Sequence, residues 1–320
     1  MSQKKTAGST IRPGYKSPSV FKQLGRNIKA HPYLYLLFLP VFVYYVIFHY
    51  WPMYGVIIAF KDFKPMKGIF GSEWVGLLQF KTFLSSTFLW RLIRNTLSIN
   101  LGMLLVGFPI PILFALLLNE ITCSWYKKFV QTASYMPHFI SSVIVVGMVF
   151  TFVNGEGIVN DFLALFGVQR SSLLVEPKAF PAIFVTTSVW KSFGWGSILY
   201  LSNITSIDPG LYESARLDGA NRGQRMWYIT LPHLKNLILI QLIFSVGGLL
   251  SSSTDLILLL YNPAIYSTSD VIGTYVYRLG IEGGKFSQTA AIGLFATIIN
   301  FILVFIANQL SNKISGTGLW

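Results

Sequence analysis

Asp208-Pro-Gly-Leu-Tyr-Glu-Ser-Ala-Arg-Leu-Asp-Gly-Ala-Asn-Arg-Gly-Gln-Arg-Met-Trp-Tyr-Ile-Thr-Leu-Pro232 is a long polar insert in an otherwise apolar chain. Span-length hydrophobic runs lie on both sides of it, so its reading decides how the rest is arranged. Asp208 is suited to cap a helix and Pro209 to occupy its first position. A short helix then runs through Glu213, Ala215 and Leu217, with Glu213 and Arg216 spaced to pair across one turn. Gly219 permits a sharp change of direction because it tolerates positive φ. A second helical segment, Gln224 to Ile229, leads to Pro232 and the next apolar run. The expected product is a compact helix–turn–helix knob at a membrane face. By composition alone the same stretch also fits an ordinary charged loop.

The surrounding chain has 320 residues, 53% of them hydrophobic and only 12% charged. Soluble domains carry about 25% charged residues, so this balance indicates a polytopic membrane protein. The net charge of +13 is dispersed beside apolar runs rather than gathered in one patch, which argues against nucleic acid as a partner. Cys123 is the only cysteine, so an internal disulfide and a cysteine metal cluster are both excluded. The histidines have no mutual spacing for a metal. The first 30 residues are basic and polar without an apolar core, so no cleavable signal peptide is expected. Residues 1–19 are expected to be disordered. Phe21, Leu24 and Ile28 share a helical face, which reads as a basic interfacial helix or as a solvated linker.

Six candidate spans follow at residues 33–51, 94–118, 134–154, 180–203, 234–258 and 287–310. Pro109 and Pro111 should bend the second. Seven basic residues precede the first span, from Lys4 to Lys29, and they favour both termini on the cytoplasmic side. With six spans, the insert then falls in the cytoplasm between spans 4 and 5. The fold expected is an all-α polytopic membrane protein. A basic cytoplasmic tail covers residues 1–30, a single membrane domain residues 31–312, and the cytoplasmic loop residues 204–233.

Glu213-Ser214-Ala215, Gly219 and Ile229-Thr230-Leu231-Pro232 resemble the EAA loop: Glu-Ala-Ala, three residues, Gly, nine residues, Ile-x-Leu-Pro. That loop marks the membrane subunits of binding-protein-dependent ABC importers. Asp218-Gly219-Ala220 matches the form common in sugar importers, and Ser214 for Ala is the one departure. Further stretches resemble the LplB-type oligosaccharide permeases and the permease subunit of the alginate importer. They include Trp51-Pro-Met-Tyr-Gly55, Ala115-Leu-Leu-Leu-Asn-Glu120, Tyr135-Met-Pro-His-Phe139 and Trp190-Lys-Ser-Phe-Gly-Trp-Gly-Ser197.

The resemblance implies a non-catalytic permease in a bacterial plasma membrane. It would work with a second, non-identical permease, two ATP-binding cassette subunits and an extracytoplasmic sugar-binding protein. ATP and Mg would sit on the partner ATPase and no cofactor on this chain. Glu213, Ser214, Ala215, Arg216, Asp218, Gly219 and Ala220 would form the ATPase-coupling element. Arg216, Arg222 and Arg225 would meet acidic groups on the ATPase or lipid phosphates.

A carbohydrate path needs aromatic faces and hydroxyl partners. Span 4 offers Trp190, Lys191, Ser197 and Tyr200, which either line that path or pack between helices, with Lys191 snorkelling outward. Asn95, Asn100 and Asn300 read as interhelical hydrogen-bond partners rather than ligands. Two rivals fit less well. A stand-alone secondary transporter needs a mid-membrane carboxylate, and the acidic residues noted at the spans, Glu120 and Asp255, lie near ends. An intramembrane enzyme would show a motif such as HExxH or Gly-x-Ser-x-Gly, and neither is present.

Overall fold

The computed structural model describes residues 26–251, 253–316 and 318–320. The expected interfacial helix therefore lies largely outside the described residues. The chain forms two compact units, Met1–Val56 and Ile57–Trp320. In the first, helix α1 (Pro32–Tyr45) runs on through a π turn at Val46–Tyr50. Its side chains bury nothing within the unit, and its aromatic residues contact each other along the helix, as in Tyr44–Phe48 and Tyr45–His49.

The second unit is built on long helices. Helix α2 (Leu89–Gly102) joins α3 (Pro109–Asn119) through a π turn at Met103–Gly107. Pro109 explains the junction, because it lacks the N–H that a continuous helix would use there. Then follow α4 (Ser124–Tyr135), α5 (Ser142–Val153), α6 (Ile158–Ala164) and α7 (Phe180–Ile204). The insert supplies α8 (Pro209–Leu217) and α9 (Arg222–Arg225). The chain closes with α10 (Leu231–Gly247), α11 (Thr254–Leu260), α12 (Ile272–Tyr277) and α13 (Phe286–Ser315). A two-stranded antiparallel ladder, Lys61–Asp62 with Glu73–Trp74, is a small departure from the all-α expectation.

Five helical stretches are long and apolar enough to cross a membrane: Pro32–Phe60, Leu89–Asn119, Ser142–Ala164, Arg222–Gly247 and Phe286–Ser315. Helix α7 has 25 residues and sufficient length, but Lys191 and its serines make it more polar than these five. It is the central helix of the unit. One end, with Phe180 and Phe184, is buried among α5 and α11; the other, with Tyr200, Leu201 and Ile204, is buried among α3 and Leu234 of α10. At Gly194 it passes so close to α4 that a Cβ would collide with the Ser134 carbonyl.

Two expected spans are interrupted rather than continuous. Residues 134–154 contain a break: a 3-10 turn at Met136–Phe139 is followed by extended backbone at Ile140 and Ser141. Pro137 sits in that turn, and Ser141 caps the helix that restarts there by accepting from Ile144 N at 3.4 Å. Residues 234–258 break after Gly247, and helix resumes only at Thr254. Backbone groups freed inside a membrane need new partners. Asn100 Nδ2 on α2 donates to Leu249 O at 2.9 Å, and Leu250 N donates to Asn300 Oδ1 on α13 at 3.0 Å. The reading of Asn100 and Asn300 as interhelical partners is thus realised, with an unwound segment as their object.

Candidate functional site

The knob between α7 and α10 is built almost entirely from local hydrogen bonds. Asp208 caps α8 by accepting from Gly210 N at 2.9 Å. Beyond Leu217 the chain turns at Gly219, whose φ of +81° is the left-handed conformation that favours glycine. Ala220 N reaches back to Ala215 O at 2.8 Å and satisfies a carbonyl of the last helical turn. Asn221 and Gln224 then form a reciprocal capping box at 2.9 and 2.8 Å, which starts α9 two residues earlier than expected. Arg225 Nη1 donates across the turn to Ala220 O at 2.9 Å. Tyr212 and Thr230 hydroxyls, 2.8 Å apart, tie α8 to the base of α10. A π turn at Met226–Thr230 leads without a loop into α10.

The expected pairing of Glu213 with Arg216 is not formed; no ion pair joins them among the described residues. Both side chains are exposed and line a 710 Å³ cleft with Glu120, Arg222 and Arg225. At i,i+3 on an exposed helix the gain from pairing is only about 0.2–0.5 kcal/mol, too little to hold two long side chains together. Arg225 turns inward to the backbone, so of the three arginines expected at a partner surface only Arg216 and Arg222 stay exposed. Ser214 and Asp218 are exposed, whereas Ala215 and Ala220 are half-buried. Leu217, 90% exposed, is the most open apolar side chain of the knob.

The span-4 residues are not brought together as one lining. Ser197 is fully buried and bonds its own helix at Gly194 O, 2.6 Å. Tyr200 lines a 330 Å³ cavity with Asn100, Gly196, Leu199, Gln241 and Ser245, directly beside the unwound segment at Gly248. Trp190 instead faces a different, apolar cavity between α5, α6 and α7. Lys191 Nζ donates to Ser142 Oγ at the start of α5, 3.0 Å away. Trp195 stacks on His138 with centroids 4.7 Å apart and planes 2° from parallel.

A charged centre at the far end of α7 escaped the sequence reading. Asp270, fully buried, accepts from Arg91 Nη2 at 3.0 Å and from Arg278 Nη2 at 2.9 Å, with Thr274 Oγ1 adding a third bond at 3.0 Å. Asn95 Nδ2 donates to the Asp270 carbonyl at 3.0 Å. Burial alone would push the Arg278 guanidinium pKa down; the hydrogen bond and charge of Asp270 outweigh it and raise it. The available signal was Arg91, Arg94 and Asn95 on one helical face, with Asp270 the one acid between Asp255 and Glu282.

Comparison with known proteins places this arrangement. Residues 107–316 match the family described as binding-protein-dependent transport system inner membrane component. The polygalacturonan/rhamnogalacturonan transport system permease protein YteP of Bacillus subtilis (strain 168) is 40% identical over 300 residues, covering 93% of this chain and 94% of that protein. Protein LplB of the same organism is 40% identical over 294 residues, 92% of each chain. A chain of the bacterial alginate ABC transporter, crystallised with an alginate pentasaccharide-bound periplasmic protein, superposes with a TM-score of 0.83 at 41% identity. That match covers 93% of this chain and all of the other.

Proposed function

The chain belongs to the family of binding-protein-dependent transport system inner membrane components, and from that premise we propose that it is the membrane permease of an ATP-driven oligosaccharide importer. It performs no hydrolysis itself. Separate ATP-binding cassette subunits grip the knob, and a second permease completes the path. An extracytoplasmic binding protein delivers the carbohydrate, a reading supported by the alginate transporter's complex with a pentasaccharide-bound periplasmic protein. In this reading α7 is the fourth of six spans, both termini are cytoplasmic, and the knob faces the cytoplasm in a bacterial plasma membrane.

The observation that carries the reading is the mechanical continuity of 208–247. Caps at both ends of α8, the Gly219 turn and the Tyr212–Thr230 bond make the knob stiff. The uninterrupted run into α10 makes a push on α8 a push on the wall of the cavity at Gln241 and Ser245. Glu213, Arg216 and Arg222, which form no ion pair among the described residues, and Leu217, all open at the surface, supply the gripping contacts. The Tyr200 cavity, with neutral polar groups and an unwound backbone, supplies part of the sugar path.

Reconstitution tests this directly. Proteoliposomes holding the chain with its co-expressed partner subunits should take up oligosaccharide only with ATP on the knob side and binding protein opposite. Uptake by this chain alone, driven by an ion gradient, would overturn the reading.

A further inference from the structure

We propose that residues 63–72, which connect the two ladder strands, are a docking surface for the phospholipid bilayer. Met66 and Phe70 would sit among acyl chains, with Lys64 and Lys67 on headgroup phosphates. This needs only that the chain spans a membrane, and it goes beyond the importer reading. The ladder follows directly on the apolar stretch Pro32–Phe60 and precedes Leu89–Asn119. Phe63 N donates to Ser287 Oγ at 2.8 Å, and the Phe63 and Phe286 rings meet edge-on, so the stretch Phe286–Ser315 starts beside the loop. Three stretches of membrane length end or begin here, which puts the loop at the bilayer boundary. Helix α13 runs antiparallel to α10: Gly247 packs on Val304, while Leu250, further along, bonds to Asn300, further back. The boundary is therefore the one opposite the knob.

The loop is held in shape from within. Lys61 Nζ donates to Ile69 O at 2.7 Å and to Ser72 O at 3.2 Å. Lys64 N donates to Ser72 Oγ at 3.0 Å, and Ser72 Oγ donates in turn to Gly68 O at 2.6 Å. This bonding presents Met66 fully exposed and Phe70 85% exposed. Residues 63–72 carry two lysines, Lys64 and Lys67, and no acid. Lys64 reaches Asp62 in the ladder at 3.5 Å, and Lys67 forms no ion pair among the described residues. Open apolar side chains flanked by exposed lysines are the makeup of interfacial segments, whose apolar groups enter the hydrocarbon edge while amines meet phosphate. In the importer reading a binding protein also visits this boundary. A soluble carrier must leave to reload, whereas the bilayer stays, and only a permanent neighbour keeps Met66 and Phe70 out of water.

The test puts one label on the full chain, assembled with cysteine-free partner subunits in nanodiscs of phosphatidylglycerol and phosphatidylethanolamine. Cys123→Ser removes the chain's own thiol, and Met66→Cys takes an environment-sensitive nitrobenzoxadiazole. A nitroxide on the upper acyl chain of the lipid should quench the label about twofold, and iodide in the water should quench it about fivefold less than the free dye. Adding the binding protein should change neither value. Lys64→Glu with Lys67→Glu should about halve the lipid quenching, and Lys64→Arg with Lys67→Arg should keep it. Iodide access without lipid quenching overturns the assignment. So does protection that arises only when the binding protein is added, which would mark a protein contact instead. Lipid quenching unmoved by the glutamates overturns the role of the lysines. If Met66→Cys does not assemble, Phe70→Cys with the same label decides in the same way. Failure of any arm leaves ATP-driven uptake, and with it the importer reading, untouched.

Discussion

The knob at one end of α7 and the connection at the other solve the same problem by opposite means. Residues 208–230 hold their shape with caps, a left-handed glycine and side-chain-to-backbone bonds, and they leave their acids and arginines unpaired with each other. Residues 261–283 hold theirs through one buried carboxylate that ties two guanidiniums from separate elements. The first region is stiff and still has charge to offer a partner. The second has used its charge internally, and what it fixes is the position of α2 relative to α12. The lesson is that exposed charges on a well-capped element point to a docking role, whereas the same residue types buried together point to architecture.

Removing the hub should do most damage. Asp270→Ala leaves Arg91 and Arg278 half-buried without their counter-charge, a loss of about 3–5 kcal/mol. Thermal unfolding in detergent should register it as a global shift; an unchanged midpoint would erase the distinction between the regions. Gly219→Pro comes next, because proline holds φ near −65° where the turn needs +81°. The cost, about 3 kcal/mol, should stay local. Uptake should fall and ATP hydrolysis should lose its dependence on binding protein, while membrane insertion is normal.

Asn300→Leu is intermediate. It orphans Leu250 N–H, and a buried unsatisfied donor costs about 1–3 kcal/mol. Faster amide exchange confined to residues 248–251 would show that the unwound segment depends on this side chain. Leu217→Ser should alter stability by less than about 0.5 kcal/mol, since the side chain is exposed. Co-purification with the ATPase should nevertheless weaken, and that separation of stability from binding is the sharpest test of a docking surface.

The features legible in advance were those whose cause lies a few residues away. Asp208 as a cap, Pro209 at the first helical position and Gly219 at the turn each act on near neighbours, and each stands where the residues alone put it. Asn95, Asn100 and Asn300 were readable as interhelical partners because a polar group in an apolar run needs one. The breaks at 136–141 and 248–251 were hidden by continuous hydropathy: Ile140 and Leu249 look the same to a window whether wound or not. Asp270 was missed because its partners, Arg91 and Arg278, are 179 and 8 residues away, and only the fold brings all three together. The span-4 residues scattered because a helical wheel gives the angle of a side chain but not the helix it meets. Trp190 and Tyr200 consequently face different cavities.

The unwound segment after Gly247 has its missing bonds supplied from outside, by an amide on α2 and another on α13. If either neighbouring helix slides by more than about an ångström, a carbonyl or an amide loses its side-chain partner. The two asparagines thus knot three helices to one short stretch of backbone, so that in the importer reading any relative shift of those helices has to break or remake these two bonds.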